Sequence, residues 1–117
     1  WIIKDRDEDG RFIRLEMPEE MPTAFVCNCD QTASTLISCL KKAGFRIPED
    51  ISVVGYDDYL YPGLCDVGIT TYGVNMTSMA LKGIRLIVEK VEDPRHKKGI
   101  HIMDGYLIER DSVKEYL

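Results

Sequence analysis

The alternation of apolar and polar positions predicts a strand, a helix and a second strand in the middle of this chain. Residues 23–29 form an apolar, β-favouring run, typical of a buried parallel strand. Between residues 31 and 43 an apolar side chain returns every three or four positions, which predicts an amphipathic helix. Asp30 is expected to be its N-cap, and Gly44 stands where a left-handed C-cap residue belongs. The apolar positions of this helix are Ala33, Leu36, Ile37, Leu40 and Ala43.

The strongest strand pattern covers residues 51–56, which are apolar on both faces and therefore predict a central strand. Two carboxylates, Asp57 and Asp58, follow it directly. In an open parallel sheet, ligands bind just beyond the carboxyl ends of the strands. Asp57 is therefore the leading candidate for a ligand contact, and Asp58 is expected to point away and cap the next segment.

A second long helix is predicted over residues 76–91, with Asn75 as its cap and Asp93 and Pro94 at its end. Leu81 and Leu86 lie off its main apolar stripe, which predicts burial on more than one side. The stripe consists of Met76, Met79, Ala80, Gly83, Ile84, Ile87, Val88 and Val91. Short strands are also expected at 1–5, 12–15, 69–72 and 106–108.

The bulk numbers fit one α/β domain without direct contact to nucleic acid. The chain has 117 residues, 44% of them hydrophobic, and a net charge of −5. An acidic surface repels phosphate backbones, and the one basic cluster, at residues 95–98, is interpreted as a solvated loop.

The four cysteines are predicted to be free thiols. The sequence has neither a C-x-x-C pair nor zinc-like spacing of Cys and His. Free thiols indicate a reducing, cytoplasmic location, and no signal peptide or membrane-length apolar run is present. Because the chain starts at Trp1, we expect it to be an excised piece of a longer protein.

Other candidate ligand contacts surround Asp57, and each has a structural alternative. Asp30 would reach the floor of a cleft or serve only as a helix cap, and Cys29 would line the cleft or pack in the core. Tyr59 and Tyr61 would stack on a sugar face, contribute to a subunit interface or pack on the surface.

Catalysis is not supported by the sequence. Asp57 and Asp58 are neighbours on a strand, so their carboxylates should diverge rather than flank one glycosidic bond. The sequence has no nucleophile elbow, phosphate-binding glycine loop or metal constellation, so no cofactor is expected.

The order and spacing of several short motifs resemble the effector-binding region of LacI/GalR-family transcriptional regulators over residues 22–113. The central motif is Ile47-Pro48-Glu49-Asp50-Ile51-Ser52-Val53-Val54-Gly55-Tyr56-Asp57-Asp58. The flanking motifs are Pro22-Thr23-Ala24, Ala43-Gly44, Ile69-Thr70-Thr71 and Arg110-Asp111-Ser112.

The resemblance implies a type I periplasmic-binding-protein fold, in which two Rossmann-like α/β lobes hold a sugar-like effector between them. On this comparison the chain is a partial, truncated domain, mainly the C-terminal lobe. Residues 74–95 would cross to the N-terminal lobe, and the DNA-binding headpiece would be absent. The family dimerises through this domain, so a homodimer that contacts DNA only through its headpieces is expected.

Several positions depart from the family pattern. Cys29 replaces the usual Asn of an Asn-Asp pair, Val74 replaces a polar residue that often reaches the ligand, and Asn75 replaces a common Pro. A thiol donates and accepts hydrogen bonds poorly, which weakens the case for a typical polyhydroxyl ligand. Residues 1–21 also lack the helix that the family places before the Pro-Thr-Ala strand.

The leading hypothesis is effector sensing by a transcriptional repressor that responds through a ligand-dependent rearrangement of its lobes. One alternative is the solute-binding protein of a sugar importer, which shares the fold. The other is a degenerate sensor that serves as a protein-interaction domain.

Overall fold

A computed structural model describes residues 2–59, 63, 65–97 and 99–115. Within these ranges, four strands and two helices follow one another in the mixed order of an α/β protein. The elements are β1 (Ala24–Val26), α1 (Asp30–Lys42), β2 (Ser52–Asp57), β3 (Thr70–Val74), α2 (Met76–Glu92) and β4 (Gly105–Ile108).

The described strands form one mixed sheet in the order β1-β2-β3-β4. Strand β2 runs parallel to both β1 and β3, and β4 is antiparallel to β3. The predicted central position of β2 is therefore confirmed. Because β1 and β2 are parallel, both carboxyl ends lie at the same edge of the sheet, beside the start of α1.

Helix α1 covers one face of the sheet and supplies four of the ten hydrophobic core residues in the described part of the chain. Four residues of its predicted stripe, Ala33, Leu36, Ile37 and Leu40, are buried and α1 packs on β2, whereas Ala43 is exposed. Each fully buried Leu or Ile contributes about 1.5–3 kcal/mol. Gly44 adopts φ 94° after the last turn, as predicted for a C-cap glycine. The central core residues are Ala33, Leu36, Ile37, Leu40, Val53 and Ile69.

The opposite face of the sheet carries exposed apolar side chains. Val26 is 84% exposed at the edge strand, and Leu107 is also exposed. Tyr56 and Tyr72 are paired in register and stack with ring centroids 5.9 Å apart, yet both remain exposed. Parallel sheets are normally covered on both faces, so this face has the character of a contact surface.

Ser112 fastens the segment after β4 to the centre of the sheet. Its buried hydroxyl donates to the Val53 carbonyl at 2.6 Å and accepts from the Thr70 amide at 2.8 Å. The Val53 amide also donates to the Ser112 carbonyl at 2.8 Å. The C-terminal segment thus joins β2 to β3.

The strands expected at residues 1–5 and 12–15 are wrong. Over the described residues 2–17 the only ladder contact is a single bridge between Arg6 and Phe12. The Asp7 carboxylate accepts hydrogen bonds from two amides of the turn that it begins. An isolated two-stranded pair of this length is marginally stable, so the turn forms without extended strands around it.

Helix α2 has the predicted bounds but not the predicted burial. Asn75 caps it by accepting from the Ser78 amide at 2.9 Å, and Asp93 ends it. No residue of α2 is buried, so the expected burial on more than one side is wrong. Its proposed crossing to another lobe stays a prediction.

Candidate functional site

Asp57 lies at the carboxyl tip of β2, where the backbone leaves the sheet in an unusual conformation. Asp57 has φ 96° and Asp58 has φ 54°, both in the left-handed region. A non-glycine residue there costs roughly 1–2 kcal/mol, and such strain tends to occur at functional sites. One Asp57 carboxylate oxygen, Oδ1, accepts from the Tyr59 amide at 3.0 Å and closes the turn.

Asp58 makes an ion pair with an arginine that follows β4. Its carboxylate accepts from Arg110 Nη2 at 2.6 Å, and Arg110 Nη1 donates to the Ile69 carbonyl at 2.8 Å. The segment that Asp58 is expected to cap includes residues 60–62 and 64, which lie outside the described residues, so that cap stays a prediction. The positive charge of Arg110 balances the negative charge of Asp58, the neighbour of Asp57.

The N-cap of α1 is Cys29 rather than Asp30, so the predicted cap was one residue too late. The Cys29 sulfur accepts from the Thr32 amide at 3.5 Å and lies 3.3 Å from the Thr32 hydroxyl. That hydroxyl donates to Asp5 Oδ2 at 2.9 Å, and Asn28 Nδ2 donates to the same oxygen at 3.3 Å. The hydrogen bond from Thr32, the largest cause, lowers the pKa of Asp5.

Asp30 begins α1 with a fully buried carboxylate. Among the described residues, neither of its oxygens has a hydrogen-bond partner, and the buried Thr71 hydroxyl also lacks one. Burial raises the pKa of Asp30, and the like charges of Asp57 and Asp58 raise it further. The nearby Thr71 hydroxyl and Arg110 offset part of this rise in pKa.

The remaining candidates differ in their positions. Tyr59 is 60% exposed directly beside the Asp57 turn, whereas Tyr61 lies outside the described residues. Val74 ends β3 and is half-buried, opposite Gly105 of β4. The structure thus brings Asp30 and Asp57 together at one end of the sheet. Contact of a ligand with Asp30, Asp57, Cys29 or Tyr59 stays a prediction.

Sequence patterns did not reveal several residues that shape this region. Arg110 appeared only within the Arg-Asp-Ser motif, with nothing to indicate its contact with Asp58 across 52 positions. Asp5 and Thr32 are 27 positions apart, and Asp5 had been placed in a strand. Thr71 belonged to a recognised motif, but periodicity could not indicate that it lies next to Asp30.

A cavity of about 640 Å³ lies apart from the strand tip, between residues 2–6 and strand β1. Its lining is mostly apolar, with Asn28 and Thr32 among its polar members. Asp57 does not line this cavity, so the two features are separate.

Within the part of the chain that the structure describes, no group of three His, Cys, Asp or Glu residues is placed to hold a metal ion. In the same part of the chain, neither helix combines the length and apolarity needed to span a bilayer.

Comparison with known proteins places these features in a family context. Residues 3–113 match the model of the periplasmic binding protein-like domain. The chain is 36% identical over 103 residues to the arabinose metabolism transcriptional repressor of Geobacillus stearothermophilus, covering 86% of this chain and 28% of the repressor. It is 33% identical over 119 residues to the repressor PurR of Vibrio cholerae, covering 98% of this chain and 35% of that protein.

A solved LacI family transcriptional regulator from Lactobacillus casei, with bound sucrose, superposes with a TM-score of 0.66 at 26% identity. The match covers 79% of this chain and 34% of that one. The chain therefore spans about a third of the length of the proteins it matches, which are regulators rather than enzymes.

Proposed function

Because this chain belongs to the periplasmic binding protein-like domain family and corresponds to part of the effector-binding domain of LacI-type regulators, we propose that it forms one wall of a small-molecule effector site. The resemblance read from the sequence is confirmed at the level of the family. The effector class, the contacting residues and the response of the protein are the proposed part.

The observation that carries the proposal is the position of Asp57. Its carboxylate stands at the carboxyl tip of a central parallel strand, on a left-handed turn, with Oδ1 engaged by the Tyr59 amide. A carboxylate at such a tip accepts charge-assisted hydrogen bonds from vicinal hydroxyls or from an amine. The exposed ring of Tyr59 lies beside it and offers an apolar surface to a sugar ring.

A sugar-like effector is favoured by the relatives. The Lactobacillus casei regulator was solved with sucrose, and another relative is named for arabinose metabolism. Cys29 and Val74 supply fewer polar contacts than amides would, so the proposed effector depends strongly on Asp57.

The proposed response is a shift between lobe arrangements. An effector that binds one arrangement more tightly increases the population of that arrangement. In a cytoplasmic homodimer, this shift would change the spacing of DNA-binding headpieces. The four cysteines, all of them free, accord with a reducing compartment.

The test is a thermal-shift screen of the longest natural polypeptide that contains this chain, since its relatives are about three times as long. The panel contains sugars, sugar phosphates and nucleobases. A ligand at a hundredfold excess over its Kd raises the free energy of unfolding by about 2.7 kcal/mol. We expect a hit that is lost in Asp57→Ala.

Asp66→Ala is the matched control, because Asp66 is an exposed carboxylate that pairs with Lys41 in the last turn of α1, at the end of the helix opposite to Asp30. A hit that survives Asp57→Ala would move the site elsewhere. No hit from a folded protein across the panel would favour the protein-interaction alternative.

A further inference from the structure

Two hydrogen bonds between described residues contribute to holding the turn that carries Asp57. The Tyr59 amide donates to Asp57 Oδ1, and Arg110 donates to Asp58 at 2.6 Å. Both aspartates are in the left-handed region, so this turn has few intrinsic preferences that would maintain it without side-chain contacts.

Arg110 is itself fixed at several points. Its Nη1 donates to the Ile69 carbonyl at 2.8 Å, and its backbone amide donates to the Thr70 hydroxyl at 2.9 Å. Two residues later, Ser112 is buried between β2 and β3. The guanidinium therefore bridges the fixed start of β3 and the tip of β2, with one nitrogen on each.

A local arginine–aspartate pair elsewhere in the described chain provides a contrast. Arg46 pairs with Asp50 four positions away at 2.6 Å, and the Arg46 side chain is 71% exposed. The Arg110 side chain is 33% exposed and its partner lies 52 positions away. Only the latter pair ties together two separate parts of the sheet.

We propose that Arg110 is a positioning residue for the candidate effector site. By holding Asp58 it fixes the turn and therefore the direction of the Asp57 carboxylate. It also neutralises Asp58, so that Asp57 presents the uncompensated charge of the aspartate pair. The relevance to an effector rests on the proposed function, whereas the positioning of the turn does not.

Hydrogen exchange of single amides in the 117-residue chain tests the positioning directly. In Arg110→Gln we expect the Tyr59 amide to exchange roughly tenfold faster, because loss of a charge-assisted contact loosens the turn. The Val53 and Thr70 amides, which bond to Ser112, should exchange as before and show that the sheet is intact.

Arg110→Lys retains the charge but cannot reach Asp58 and the Ile69 carbonyl with a planar fork. We expect it to restore only part of the protection of the Tyr59 amide. Arg46→Gln removes the local Arg46–Asp50 pair and should leave the exchange of the Tyr59 amide unchanged. Unchanged exchange in Arg110→Gln, or full protection in Arg110→Lys, would overturn the bridging role.

Asp58→Asn supplies the reciprocal variant. If the two side chains act as one contact, the double variant should expose the Tyr59 amide no more than either single variant does. Additive effects would show that Arg110 acts independently of Asp58 and would also overturn the proposal.

The role in binding has a separate readout. With a hit from the thermal-shift screen, Arg110→Gln should weaken binding, whereas Arg46→Gln should not. Absence of any hit would contradict the proposed function without altering the exchange result. Faster exchange at Tyr59 with unchanged binding would retain the positioning of the turn and refute its role at the effector site.

Discussion

The Asp30 carboxylate lies against the Cα atom of Gly55, so closely that a Cβ at position 55 would stand 1.9 Å from Asp30 Oδ1. Gly55 is in the middle of β2 and Asp30 is the first residue of α1. A glycine is required there because the start of the helix passes directly over the strand. The same contact buries the carboxylate two residues before the tip that carries Asp57.

Gly55→Ala should destabilise the fold by about 1–3 kcal/mol, since the new methyl group overpacks a buried contact. Urea denaturation would measure this loss in the free energy of unfolding. Gly83→Ala is the matched control, because a Cβ at that half-buried position of α2 meets no atom within 4 Å outside its own stretch of helix. That variant should gain up to about 1 kcal/mol, and equal losses in both variants would contradict the steric explanation.

Asp30→Asn should increase stability at neutral pH. Burial raises the pKa of Asp30 in the folded state, so the folded protein keeps a proton that the unfolded chain releases above the ordinary pKa of 3.8. The contribution of Asp30 to stability is therefore complete below that value and is lost as pH rises through the folded pKa. The Asn side chain cannot ionise, so the Asp30→Asn variant does not lose this contribution to stability as pH rises.

Urea denaturation of both proteins between pH 3 and pH 8 would measure the difference. The free energy of unfolding of Asp30→Asn should exceed that of the wild type by an amount that increases as pH rises from about 4. Asp66→Asn is the control of opposite sign, because the hydrogen bond from Lys41 lowers the pKa of Asp66. A constant difference between wild type and Asp30→Asn at all pH values would contradict the buried-charge explanation.

The sequence predicted α1, β2 and the cap of α2 because each depends on local spacing. Asp30 shows the limit of that reasoning. Its residue type and place suggested a cap, but Cys29 has the extended backbone and makes the capping contact. The burial of Asp30 depends on Gly55, which lies 25 positions later, and no local rule detects that relationship.

Residues near the termini were harder to predict for a related reason. Residues 1–5 have strand-like composition, yet a strand needs a partner, and Asp5 instead accepts hydrogen bonds from the start of α1. Helix α2 shows a strong apolar stripe, but periodicity indicates only that the stripe requires a partner. It does not indicate whether that partner belongs to the same compact body.

Ser112→Ala should cost about 1–3 kcal/mol, because it leaves a buried Val53 carbonyl and a buried Thr70 amide without their hydroxyl partner. The free energy of unfolding in urea is the measurement. Ser38→Ala removes the hydroxyl of an exposed residue, which donates to the Ser34 carbonyl one turn earlier in α1, and should change stability by less than about 0.5 kcal/mol. Similar losses at both positions would show that Ser112 has no special joining role.

Cys27 should be the last of the four thiols to react with iodoacetamide at pH 8. Burial raises its pKa to about 12, so the reactive thiolate is scarce, and its side chain is nearly inaccessible. Mass spectrometry of peptides after timed alkylation would rank the four sites. Addition of urea should abolish the delay, and early labelling of Cys27 in the native protein would contradict its position in the core.

The α2 stripe should cause the 117-residue chain to self-associate. The chain exposes 9099 Å², whereas a compact monomer of 13.4 kDa exposes roughly 6,500 Å². The excess surpasses the approximately 800 Å² that each partner buries in a typical stable interface. Ile84, Ile87 and Val91 all lie on the exposed stripe and are at least 60% exposed.

Sedimentation velocity at increasing concentration would detect this association, and Ile87→Glu should shift the chain toward monomer. Because α2 has no buried residue, this variant should leave the free energy of unfolding of the sheet nearly unchanged. Ser78→Glu adds the same charge to the opposite face of the helix and should still associate. A wild-type chain that stays monomeric at high concentration would sink the prediction, because its apolar stripe would then be stable in water without a partner.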